Sequence, residues 1–110
     1  MNSWLAISIA IAVEVVATSA LKASQEFTKL WPSLCVVIGY GISFYFMTIS
    51  LRTIPLGVMY AIWSGVGIVA ISIIGWIVYK QTLDLPAMIG VALIVLGVVV
   101  IHLFSRTVVH

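Results

Sequence analysis

Long stretches without charge limit this chain more than anything else in it. Apolar runs cover residues 4–21, 33–51, 56–79 and 87–104, and polar residues collect at the breaks between them. A helix needs about 20 apolar residues to cross a bilayer, so each run is long enough. Water is excluded as the solvent for such a surface. Charged residues are 7% and hydrophobic residues 64% of the 110, with a mean hydropathy of +1.30, whereas soluble domains carry roughly 25% charge. The expected fold class is an all-α integral membrane protein with four transmembrane helices in a single domain, residues 1–110. Four spans consume roughly 80 residues and leave no room for a soluble domain.

The prolines support this division. Pro32, Pro55 and Pro86 each fall at a break just ahead of an apolar run. Proline suits the first turn of a helix, where its missing N–H is no loss. A membrane barrel would need polar/apolar alternation, which the runs lack. Trp4, Trp31, Trp76, Tyr79 and Phe104 lie near the predicted span ends, where aromatic rings settle at headgroup level. The first run has no basic flank and is interrupted by Glu14, so it is expected to stay as a span and not be cleaved as a signal peptide. A net charge of +2, scattered along the chain, makes no nucleic-acid surface. Cys35 is the single cysteine and reads as a small core hydrophobe.

Glu14 is the charged residue that lies deep within a run; the others sit at breaks or ends. Placing a charge at that depth costs roughly 2.5–3.5 kcal/mol on insertion scales, which makes an intramembrane acid a functional residue by default. Hydrocarbon disfavours the ionised carboxyl group, so protonation and pairing with a cation become alternatives. Ala10, Ala17 and Thr18 stand at helical spacing from Glu14 and share its face. Small residues there leave space beside the acid or permit close helix packing.

Two aromatic faces follow. Tyr40, Ser43, Phe44 and Met47 share one face of the second span, and Tyr60, Trp63, Ser64 and Gly67 one face of the third. Buried hydroxyls and an indole N–H need partners. Aromatic faces with one carboxylate suit a hydrophobic cation, through cation–π contact and charge pairing. Gly65 and Gly67 mark a hinge in the third span or a place of close approach. Gly90 and Gly97 share a face of the fourth span, which reads as a packing helix. His102 lies near a span end and reads as interfacial, and the terminal His110 is uninformative. Metal-ligand spacing, a nucleophile–base pair and a phosphate loop are all missing from the sequence, so neither a metal nor an enzyme is expected.

The chain resembles the small multidrug resistance transporters along its full length. The matching residues are Ala10, Glu14, Val15, Thr18, Leu21 and Lys22; Phe27-Thr-Lys-Leu-Trp-Pro-Ser33; Pro55-Leu-Gly57; Tyr60-Ala-Ile-Trp-Ser-Gly-Val-Gly-Ile-Val69; and Gln81-x-Leu-Asp-Leu-Pro-Ala87 with Gly90 and Gly97. The resemblance implies a proton-coupled exporter of lipophilic and quaternary-ammonium cations in the bacterial inner membrane. It implies an antiparallel homodimer, protons as the coupling ion and no other cofactor. Glu14 would be the carboxylate that proton and substrate share. Trp63, Tyr60, Tyr40 and Phe44 would line the substrate chamber, joined by Thr18, Ala10, Trp4, Ser43 and Met47. The fourth span would be the dimer helix.

Departures from the family pattern are informative. Trp4 stands where members often have tyrosine, and Tyr45 where tryptophan is common. Lys80 replaces a usual glycine, Thr82 a usual arginine, and Arg52 is an addition. The guanidinium exporters of the family carry a tryptophan soon after the glutamate; this chain reads Val15-Val16-Ala17, which favours the multidrug type. A guanidinium or polyamine exporter of the same fold, or an accessory subunit without transport activity, are the alternatives.

Orientation is weakly encoded. Four spans put both ends on one side. Lys22, Lys29 and Lys80 fall in the first and third loops, against Arg52 and Arg106 on the other side. The positive-inside rule acts through this difference, which is one charge. Either orientation follows by chance, or both are made and used, as antiparallel pairing requires.

Overall fold

The computed structural model describes residues 1–108; His110 lies outside them. Four helices follow one another: α1 (Ser3–Ala23), α2 (Leu30–Ser50), α3 (Leu56–Tyr79) and α4 (Leu85–Phe104). All four are long and apolar enough to cross a membrane, and no strand occurs among the described residues. They group into two compact units, α1 with α2 in Met1–Arg52, and α3 with α4 from Thr53 onward. Within each unit a short loop makes the two helices antiparallel neighbours.

Local chemistry sets the helix ends. The Asn2 side chain caps α1 by accepting from Trp4 N–H at 2.7 Å, and Asp84 caps α4 by accepting from Ala87 N–H at 3.0 Å. Three helices begin ahead of the apolar runs, α1 by one residue at Ser3, and α2 and α4 by more, at Leu30 and Leu85. The prolines of the last two, Pro32 and Pro86, still lie in the first turn, and Pro55 is the N-cap of α3. The first four N–H groups of a helix have no intrahelical acceptor, so proline costs nothing at any of these positions. The end of α3 takes a different form. Lys80 is left-handed, with φ 56° and ψ 33°, and Gln81 N–H donates back to Gly75 O at 2.9 Å. That bond closes a seven-residue loop onto the Gly75 carbonyl, near the end of α3.

The turn between α1 and α2 is built on Ser24, which is fully buried. Its hydroxyl donates to Leu21 O and accepts from Phe27 N–H, and its carbonyl accepts from Thr28 N–H at 3.0 Å and Lys29 N–H at 3.1 Å. Gln25, Glu26 and Phe27 all adopt positive φ, which carries the chain round inside this ring of hydrogen bonds.

Burial is uneven. The α1 residues Ala6, Ile7, Ala10, Ile11, Glu14, Val15 and Ala17 are buried, and α2 buries Val36, Ser43, Met47, Ile49 and Ser50. In contrast, α4 has no buried residue at all. A helix that is apolar all round and only partly covered by its own chain, here by α3, is stable where lipid or another protein replaces water.

Candidate functional site

Small residues bring α1 and α2 together. Ala10 is fully buried, and its carbonyl accepts from the Ser43 hydroxyl at 2.7 Å. Two turns along α1, Ala17 packs on Gly39, where an added Cβ would stand 2.8 Å from Ala17 Cβ. Gly39 and Ser43 are four residues apart on one face of α2, a small-xxx-small spacing that admits a neighbouring backbone. Gly39 was not singled out from the sequence, although this spacing to Ser43 was there to be read.

Glu14 lies on this seam, 8% exposed, near the middle of α1. One turn on, the Thr18 hydroxyl donates to Glu14 Oε1 at 2.5 Å, and it also bonds the Tyr40 hydroxyl across the seam from α2. Threonine has one O–H proton. With that proton on Glu14, Tyr40 must be the donor to Thr18. The result is a chain of two hydroxyls, both donating towards the acid. Glu14, Thr18, Tyr40, Ala10 and Ser43 therefore meet on one side of the hairpin. Phe44 stands beside Tyr40 with ring centroids 5.9 Å apart and is half-exposed. Met47 is buried. Trp4 is partly exposed in the first turn of α1, where its carbonyl accepts from Ser8.

In the second unit, Tyr60 and Trp63 form an edge-to-face pair with centroids 5.3 Å apart and planes at 74°. Tyr60 is exposed. The Trp63 indole N–H is buried without an acceptor among the described residues. An orphaned buried donor costs about 1–3 kcal/mol, so an acceptor is wanted there. Gly65 and Gly67 are both buried within a continuous α3. An added Cβ at Gly65 would run into the Val98 side chain of α4, so close approach is one use of this glycine. Gly90 and Gly97 face open space, with nothing within 4 Å of an added Cβ. Among the described residues no three His, Cys, Asp or Glu side chains converge to hold a metal ion.

A family's sequence model, described as Small Multidrug Resistance protein, matches residues 2–94. The chain belongs to the small multidrug resistance family. Quaternary ammonium compound-resistance protein QacE of Escherichia coli is 54% identical over 110 residues, covering all of both chains. Multidrug transporter EmrE of Escherichia coli strain K12 is 48% identical, again over the full length of both. A putative ethidium bromide resistance protein of Salmonella typhimurium is 54% identical over 95 residues, 86% of this chain and 83% of the relative. With family membership and four spanning helices, the chain is a multi-pass membrane protein of a transporter family. The small multidrug resistance pattern ends at residue 94, inside α4, whereas the full-length matches to QacE and EmrE continue to the C-terminus.

Proposed function

We propose that the chain exports lipophilic and quaternary-ammonium cations across the bacterial inner membrane in exchange for protons, as an antiparallel homodimer. The observation that carries this reading is Glu14, the one acidic residue within the four helices, buried at mid-span. A carboxyl group so placed is stable either neutral, with a proton, or ionised, beside a cation. The two ligands compete for it, and loading one releases the other. The relatives named for resistance to quaternary ammonium compounds and ethidium support a lipophilic cation as substrate. Tyr60 and Trp63 supply aromatic surface for such a cation.

Two protomers contribute two Glu14 side chains. In an antiparallel pair the inward-open and outward-open states are related by symmetry, so the exchange has no built-in bias and the proton gradient supplies direction. The test is proton release from detergent-solubilised protein on adding benzyltriethylammonium. The native chain releases protons. Glu14→Gln still inserts and folds but releases none and confers no resistance, while Glu14→Asp keeps partial activity with a displaced pH optimum. Proton-driven efflux by Glu14→Gln would overturn the reading.

A further inference from the structure

The α3–α4 unit holds a groove for which cation–proton exchange has no use. The two helices make tight contact at Gly65, where an added Cβ would stand 2.3 Å from the Val98 side chain and 3.6 Å from that of Ile94. Beside this contact a cleft of about 400 Å³ runs between them, walled by Val66, Val69, Ile73, Val95 and Val99, with no polar side chain in its lining. Ile73 also bounds a second cleft of about 410 Å³, which reaches Trp76, Gln81, Thr82 and Met88 at the α3–α4 loop. Val66, Val69, Ile73 and Trp76 follow helical spacing along one face of α3, so the two clefts make one continuous groove.

That groove has the length and polarity of a lipid chain. From Gly65 to Trp76 is roughly 17 Å at 1.5 Å per residue. One leaflet of a hydrocarbon core about 30 Å thick is about 15 Å deep. The inner end is wholly apolar. The outer end carries the Gln81 amide and the Thr82 hydroxyl, with Lys80 exposed next to them in the chain. The Gln81 side chain lies back against α3, its Oε1 3.7 Å from where a Cβ on Gly75 would stand. Trp76 is exposed at the same end, as an aromatic at headgroup level should be. Asp84, the acid of this loop, is engaged as the cap of α4 by accepting from Ala87 N–H, so Lys80 supplies the charge that meets an anion. We propose that the groove is a phospholipid site. One acyl chain lies between α3 and α4 as far as Gly65 and Val98, and the headgroup phosphate meets Lys80, Gln81 and Thr82. The bound chain supplies dispersion contacts where the two helices do not touch, and so braces the hairpin away from Gly65. A second copy of the chain has a different face of α4 to use. Gly90 and Gly97 face open space, and Met88, Val95 and Val99 lie roughly 160–180° round the helix from Gly97 at about 100° per residue. A partner helix on the glycine face leaves the groove to lipid.

The test uses the full-length protein in nanodiscs of phosphatidylethanolamine and phosphatidylglycerol. The probe is phosphatidylglycerol with a photoreactive diazirine on one acyl chain, placed either beside the carbonyl or at the chain end, and peptide mapping reads the labelled residues. The carbonyl-proximal diazirine should label Trp76 and Met88, and the chain-end diazirine Val66 and Val99. Leu96 and Leu103, exposed elsewhere on α4, report ordinary bilayer contact and should be labelled less. Val69→Trp fills the groove and should bring its labelling down to the level of Leu96. Lys80→Gln keeps a Cβ at the left-handed position and leaves the α3–α4 packing alone. It should lower groove labelling at sub-saturating probe by about fivefold, the worth of one lysine near an anionic headgroup. Labelling spread evenly round α3 and α4, or independent of where the diazirine sits, would mean ordinary bilayer lipid and would overturn the site. Groove labelling that arises only when the dimer is dissociated would assign this face to a second copy, with the same consequence. Unchanged labelling in Lys80→Gln would count against the headgroup contact whether or not Val69→Trp folds.

Discussion

Lys80 shows how one side chain can serve two needs that conflict. It occupies a left-handed conformation at the end of α3, which costs a residue with a Cβ roughly 1–2 kcal/mol and costs glycine nothing. The family resemblance places a glycine there. Lys80→Gly should therefore raise stability by about 1 kcal/mol, read as a higher melting temperature in detergent. A lower one would mean that the lysine side chain contributes more than its backbone costs. The same change leaves Lys22 and Lys29 against Arg52 and Arg106, two against two, so the last orienting difference disappears. Glu14 was legible at this scale because an acid in hydrocarbon is conspicuous by chemistry alone. The polarity of its hydroxyl chain was not legible, since it depends on which α2 side chain lies opposite Thr18.

At the scale of elements, the α1–α2 hairpin is held by the close approach of backbones. Gly39→Ala would put a methyl group 2.8 Å from Ala17 Cβ, forcing the helices apart. The cost should be about 1–3 kcal/mol, as for other overpacked sites. The Thr18–Tyr40 bond lies in the adjoining turn, so transport should fall along with stability. Pairing the change with Ala17→Gly restores the space, and the double variant should be destabilised less than the two single changes added together. Additive losses, measured by thermal unfolding, would show that the contact is not the cause. The helices themselves were readable as runs of apolar residues punctuated by proline. Their exact starts were not, because Asp84 as a cap and Pro32 in the third position of α2 act through backbone hydrogen bonds and leave hydropathy unchanged.

At the scale of the molecule, the five lysines and arginines all sit at helix ends or in turns. Their side chains are exposed and can meet headgroups on either side. The three-to-two balance predicts comparable amounts of both orientations. Two lysines added after Arg106 should hold the ends in the cytoplasm, and removing Arg52 and Arg106 should favour the reverse. Terminal-tag accessibility in intact cells reads the orientation. Each biased form alone should confer little resistance to a quaternary ammonium, and co-expression should restore it. A single biased form as active as the native chain would replace the antiparallel dimer with a parallel one. Membrane residence, the number of spans and the choice of Glu14 as the candidate site follow from the sequence alone, because transfer from water to hydrocarbon depends on the composition of each segment and hardly on its neighbours. The pairing of Thr18 with Tyr40, the tight place between Ala17 and Gly39 and the uncovered surface of α4 come from tertiary structure, because contact across a seam depends on how far one helix slides and turns against another, and hydropathy carries no record of either.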